Sequence, residues 1–232
     1  TSTGVEHPLA ELGAAMRDSG TLLMADCVTS LGGVPLDFDG WGIDYAYSCT
    51  QKCLGAPPGM SPIALSQRAL ERIESRATPV PFATDLRMLR AYWVERPATY
   101  HHTAPILHIY ALHEVLSQVL AEGVETRWER HTAAGRHFAA RAEEAGFEVL
   151  AEEGHRLAPL TALRVPEGVD GKDVQRELVA AHGLEVGGGL GPAAPPMWRV
   201  GLMGPNANEA TADHVLAALT SVLDSRPVPV AG

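Results

Sequence analysis

The spacing of apolar positions changes period along this chain, and the changes predict alternating helices and strands. Leu9 to Arg17 carries a helical pattern closed by Asp18-Ser19-Gly20. Thr21-Leu22-Leu23-Met24-Ala25 is a short apolar run between turn residues, ending at Asp26, as expected of a strand buried on both faces of a parallel sheet. A second run, Asp44-Tyr45-Ala46-Tyr47-Ser48, leads to Lys52. A third, Pro62-Ile63-Ala64-Leu65, follows a Gly/Pro turn at Gly55 to Gly59. From Ala104 to Glu122, apolar residues at 106, 107, 109, 110, 112, 116, 119 and 120 predict a long helix with a broad buried face. Thr103 is its expected N-cap, Pro105 lies in its first turn, and Gly123 stops it.

Beyond Gly123, Glu125 to Ala145 reads as a polar, Arg-rich helix closed by Gly146. Strands are expected at Phe147-Leu150, Thr161-Val165, Leu184-Val186 and Trp198-Leu202, with helices at 171–182 and 209–224. The fold class is therefore α/β. Residues 1–122 are expected to form part of a doubly wound, mainly parallel sheet. Residues 123–232 are expected to form a smaller α/β C-terminal domain with an antiparallel sheet, and the Pro-rich stretch after Ser225 is expected to be disordered.

Composition narrows the partners. With 46% hydrophobic and 20% charged residues over 232 positions, the chain has the make-up of a globular protein. A net charge of -10 argues against nucleic acid, which selects basic surfaces, and against anionic membranes. No apolar run approaches the ~18 residues of a membrane span. Cys27, Cys49 and Cys53 offer neither an even disulfide set nor a CxxC pair, as expected in a reducing, cytoplasmic setting.

Ligands of open α/β sheets sit at the carboxyl ends of strands. One predicted strand ends in Asp26 and another leads to Lys52, so an acid and an amine are expected to face one crevice. A carboxylate beside a ring nitrogen keeps a pyridinium protonated, and a lysine amine forms an imine and then shuttles a proton. That pair is the least a pyridoxal-phosphate enzyme needs. By itself it is unspecific, since an Asp after a strand is a common helix cap and a strand-end Lys is usually solvated.

Eight stretches, in order along the chain, carry more. They are Ser2-Thr3-Gly4-Val5, Met24-Ala25-Asp26-Cys27-Val28, Leu31-Gly32-Gly33, Gln51-Lys52 and Ala56-Pro57-Pro58-Gly59. Tyr100-His101-His102-Thr103, Gly188-Gly189-Leu190-Gly191-Pro192 and Arg199-Val200-Gly201-Leu202 complete the set. With these the chain resembles the class V, fold-type I aminotransferases, in particular the alanine–glyoxylate and serine–pyruvate group. The resemblance implies pyridoxal 5'-phosphate as cofactor and Lys52 as its Schiff-base lysine. It implies that Asp26 pairs with the pyridine nitrogen, that Val28 packs on the ring, and that Gln51 and Thr1 make polar cofactor contacts. Family members usually have Ser where this chain has Thr1 and Thr50. Tyr100 and Thr103 are expected to bind the phosphate of the neighbouring subunit's cofactor in a homodimer with shared active sites. Arg199 is expected to clamp the substrate carboxylate, a task its planar fork suits.

The activity this implies is transfer of an amino group from a small amino acid, alanine or serine, to a 2-oxo acid such as glyoxylate or pyruvate. Lyase chemistry, or a transaminase for phosphonates or ureides, is the alternative within the cofactor class. A truncated, non-catalytic dimerisation or binding domain is the alternative outside it. The resemblance also implies that well over a hundred residues ahead of Ser2 are missing, with the phosphate cradle among them. The chain alone is accordingly expected to be poorly soluble and inactive.

Three other features are set aside. His101-His102 has no evident third metal ligand, and neighbouring side chains on a strand or turn point apart. Gly187 to Gly191 lacks the spacing of a dinucleotide fingerprint and reads as a flexible loop near the substrate mouth. Cys49 and Cys53 read as small packing residues. No cysteine follows Cys53 to serve as the distal nucleophile of a desulfurase.

Overall fold

The computed structural model describes residues 2–226; Thr1 and most of the Pro-rich stretch after Ser225 lie outside the described residues. The first half is organised by a three-stranded sheet. Helix α1 (Leu9–Met16) precedes β1 (Met24–Asp26), which pairs in parallel with β2 (Tyr45–Tyr47) so that Asp26 stands beside Tyr47. Strand β3 (Ile63–Leu65) runs antiparallel to β2. The buried carboxylate of Asp44 ties these pieces together. It accepts the Leu23 N–H at 3.0 Å and the Ser66 hydroxyl at 2.7 Å, with the Arg68 guanidinium 3.7 Å away. Ser66 in turn caps α2 (Gln67–Glu74) by accepting from the Ala69 N–H. Leu23, Ala25, Cys27, Ile43 and Ala46 form the small core beneath.

Three expectations for this half are corrected. β1 is not buried on both faces: Ala25 is buried, but Met24 is 65% exposed and Asp26 is exposed. An apolar run records what a strand is able to bury, and here one face has no cover among the described residues. The helix α4 (Ile106–Glu122) likewise lacks its broad buried face. Only Val119 is buried, while Leu107 is 81% and Leu120 74% exposed. Thr103 is also not its cap. The helix starts after Pro105 without a side-chain cap bond, because a residue preceding proline is pushed out of helical geometry. The Thr103 hydroxyl instead meets the Tyr100 hydroxyl at 3.0 Å. Helices α2 and α3 (Leu86–Trp93, capped by Asp85) are short and carry no long apolar stripe, so the pattern did not announce them.

The second half has the larger core. Gly123 ends α4 at φ +87° and α5 (Val124–Glu144) follows at once. Strands β4 (Leu160–Arg164), β5 (Gly187–Gly188) and β6 (Met197–Gly201) form an antiparallel sheet in the order β4-β6-β5. Helices α6 (Gly171–His182) and α7 (Glu209–Asp224) have the bounds that the periodicity gave. Phe138, Leu163, Val174, Leu178, Trp198 and Leu219 are fully buried where α5, α6 and α7 pack on this sheet. Asp170 and Asn208 cap α6 and α7. Phe147-Leu150 makes only a single bridge, Val149 to Leu163, and the Leu184-Val186 strand is displaced onto the glycines that follow it.

Backbone and side-chain hydrogen bonds join the halves. Gly4 and Glu6 pair with Leu157 and His155 through backbone bonds of 2.8 Å each. Arg127, on α5, reaches the carbonyls of Cys53 and Leu54.

Candidate active site

A cleft of about 1350 Å³ opens between the two halves, and Asp26, Val28, Gln51, Lys52 and Arg199 all line it. The fold explains the convergence. Asp26 and Val28 follow the carboxyl end of β1, Lys52 follows β2 in parallel register with it, and Arg199 comes across from β6. Leu190 and Met203 add apolar wall on the Arg199 side.

Each charged group has a definite setting. The Asp26 carboxylate is anchored twice, accepting the Val28 N–H at 2.9 Å and the Tyr47 hydroxyl at 2.8 Å. The same hydrogen bond raises the Tyr47 phenol above its ordinary pKa, so it stays a donor. Lys52 is half-buried, and its Nζ has no hydrogen-bond or ion-pair partner among the described residues. Arg199 donates from Nε to the Gly188 carbonyl at 2.6 Å, which leaves its Nη donors uncommitted among the described residues. The ion pair with an acidic residue that would make Arg199 merely structural is absent among them. Gly187 and Gly188, read as a flexible loop, form the strand edge that holds this guanidinium.

The remaining candidates lie elsewhere. Tyr100 is 70% exposed, and neither it nor Thr103 lines the cleft. His101 and His102 do not point apart: their Nδ1 atoms are 2.8 Å from each other, with His101 stacked on Phe82. Cys53 is fully buried, its Sγ 3.1 Å from the Thr29 carbonyl, and burial pushes its thiol up to about 12. Cys49 is buried too, and burial likewise raises Cys27. All three are buried packing groups. Tyr47 is the neighbour of Asp26 that the sequence pattern does not single out. Its only signal was its register: a tyrosine opposite the strand-end aspartate, legible once the strands are paired.

The donor set fits pyridoxal phosphate: an anchored carboxylate, a free amine and an uncommitted guanidinium share one cleft. Residues 1–207 match the family described as aminotransferase class V. The chain belongs to that family. The family is pyridoxal-phosphate-dependent. This class V chain is 46% identical to a solved alanine–glyoxylate aminotransferase from Nostoc sp., with a TM-score of 0.90 over 96% of this chain and 59% of that one. It is 37% identical to the alanine–glyoxylate aminotransferase of Oryctolagus cuniculus over 96% of this chain and 58% of the relative. The solved ureidoglycine–glyoxylate aminotransferase of Bacillus subtilis is 36% identical, with a TM-score of 0.91 over 100% of this chain and 60% of that one. The class V chain thus spans somewhat under two thirds of the length of the relatives it matches.

Proposed function

We propose that this chain carries the catalytic lysine, ring-nitrogen carboxylate and substrate clamp of an aminotransferase that moves an amino group from alanine or serine to glyoxylate or pyruvate. The observation that carries the reading is the meeting of Asp26, Lys52 and Arg199 in one cleft. Pyridoxal phosphate, when bound, supplies an electron-withdrawing ring that stabilises the charge left on a substrate α-carbon after its proton departs.

The residues divide the work. Lys52 is the residue that would hold the cofactor, and its Nζ would move the proton at the substrate Cα. Having no partner among the described residues, that nitrogen is free to do so. Asp26 offers a carboxylate for the ring nitrogen, its plane set by Val28 and Tyr47. Val28 gives the ring an apolar wall and Gln51 a polar contact. Arg199 receives the substrate carboxylate on its free Nη donors while Gly188 holds its Nε. Proton transfer of this kind contributes on the order of 10²–10⁴ in rate.

The arrangement is read as part of a homodimer in which exposed Tyr100 and Thr103 serve the phosphate of the other subunit's cofactor. Residues 1–122 are read as part of a doubly wound large domain and 123–232 as the small domain, in a cytoplasmic enzyme. The likeness to the Bacillus subtilis ureidoglycine transaminase supports a second reading, a ureide as amino donor. The experiment is borohydride reduction of the natural chain that carries this sequence after loading with pyridoxal phosphate, followed by peptide mass mapping. A label on Lys52 is expected. Cofactor bound to a folded chain with no label there would refute the assignment. A donor panel of alanine, serine and ureidoglycine separates the two readings.

A further inference from the structure

The α4–α5 elbow holds a charge cluster outside the cleft. Glu122 ends α4, and Arg127 and Arg130 lie on the first turns of α5. Arg127 is buried and donates from Nη1 to Glu122 Oε2 at 2.6 Å. Its Nη2 donates to the carbonyls of Cys53 at 2.7 Å and Leu54 at 3.2 Å, the two residues directly after Lys52. Arg130 donates from Nε to Glu122 Oε1 at 2.6 Å and from Nη2 to Oε2 at 3.1 Å. Its Nη1 donates to the carbonyls of Gly204 at 2.9 Å and Ala207 at 2.8 Å, in the turn that follows β6 and therefore Arg199. His131, fully buried, completes the join: its Nε2 accepts the Gly204 N–H at 3.0 Å and its Nδ1 donates to the Arg127 carbonyl at 2.8 Å.

One carboxylate thus couples two guanidiniums, and the four carbonyls they grip belong to the two turns that deliver Lys52 and Arg199. Those turns also touch directly. A Cβ built on Gly204 would lie 3.1 Å from the Gly55 Cα, so glycine there permits backbone-to-backbone approach. Charge-assisted bonds to main-chain oxygens hold backbone position rather than side-chain rotamer, and charged donors in a partly buried setting are the stronger kind.

We infer that the Glu122–Arg127–Arg130 cluster is a positioning strut that sets where the carboxylate clamp of Arg199 stands relative to the amine of Lys52. The inference rests on the aminotransferase reading above. An α-amino acid must meet both groups at once, its nitrogen at the Lys52 position and its carboxylate at Arg199. An amine without a carboxylate meets only the first. Damage to the strut therefore weakens reaction with amino acids and spares reaction with simple amines, whereas general damage to the fold weakens both.

The test uses the natural chain carrying this sequence, loaded with pyridoxal phosphate, and compares alanine with ethylamine, the same skeleton lacking the carboxylate. Reaction of each is followed by the absorbance of the bound cofactor. In Glu122→Gln, one amide oxygen cannot serve two guanidiniums. Its kcat/KM for alanine is expected to fall about 10–100-fold, the scale of a misplacement near 1 Å. The rate with ethylamine, and the pH titration of the Lys52-linked cofactor absorbance, are expected to stay within about threefold and unchanged respectively. Arg130→Lys keeps the charge opposite Glu122 but, with one nitrogen in place of three, cannot hold both Glu122 oxygens and both carbonyls at once. It is expected to show the same selectivity at smaller size, and it stands in should Glu122→Gln fail to fold. Equal losses with both amines, or no loss with either, would overturn the strut. A wild-type chain that takes no cofactor on Lys52 would instead remove the reading beneath it, and is seen before any variant is made.

Discussion

Gly135 lies in the middle of α5 with its backbone against Ala158, in the turn before β4. A Cβ added at Gly135 would stand 2.1 Å from the Ala158 carbonyl oxygen and 2.8 Å from its carbon. Two effects then compete in Gly135→Ala. Alanine favours an interior helix position over glycine by about 1 kcal/mol. Relieving the clash requires the helix and the Ala158 turn to separate by about 1 Å, and overpacking of this kind costs about 1–3 kcal/mol, occasionally more. Because the obstacle is backbone rather than a flexible side chain, the upper part of that range applies, and the net expectation is a loss of about 2 kcal/mol. For a chain of this size that lowers Tm by roughly 4–8 °C. The Pro159 carbonyl accepts the Leu202 N–H at 3.0 Å, so the displacement also reaches the end of β6 and Arg199. Thermal and urea unfolding of Gly135→Ala beside Ala133→Gly, an exposed control for helix propensity alone, separates the two contributions. A Gly135→Ala protein as stable as its parent, or more stable, would show that helix propensity wins and that the close approach is not obligatory.

The bonds from Arg130 and then Arg127 hold the Glu122 carboxyl at about 2, against 4.5 ordinarily. The folded chain therefore binds fewer protons than the unfolded one between those values, and the stabilisation is complete above about pH 4.5 and lost as pH falls toward about 2. At ~1.4 kcal/mol per unit the ceiling is ~3 kcal/mol, and about 2 kcal/mol is expected after allowing for partial exposure. Denaturant unfolding against pH should show the gap between wild type and Glu122→Gln closing in that window; a gap independent of pH would count against the ion triad. His131 is pushed down by burial, so its contribution is present above its ordinary 6.5 and lost as pH falls below it, an earlier step that His131→Gln should abolish. Tyr47→Phe removes one donor from Asp26 and is expected to weaken pyridoxal phosphate binding about tenfold, measured by absorbance titration, while an unchanged affinity would mean that Val28 alone orients the carboxylate. The exposed apolar side chains of α4 are expected to make this chain self-associate; a monodisperse monomer by light scattering would contradict that.

The candidate site was legible in the order of residues along the chain mainly through the family resemblance. Asp26 and Lys52 each follow a short apolar run, and strand ends are where α/β folds put their ligands, but that placement is unspecific, and the resemblance is what singles them out as candidate site residues. Arg199 could be named only through the resemblance, since an arginine on a strand has many ordinary uses. Helices α6 and α7 followed from periodicity, because their apolar stripes are covered by the chain's own sheet and the local signal agrees with the tertiary result. The face of α4 went the other way: the sequence determines that it is apolar, but burial depends on what lies against it. Only tertiary structure decided that Tyr47 stands in register with Asp26, that Gly188 takes the Nε of Arg199, and that one glutamate links the turns after Lys52 and β6. Those facts are contacts between residues far apart in the chain, created when strands pair and helices dock, and no local pattern of hydrophobicity encodes them.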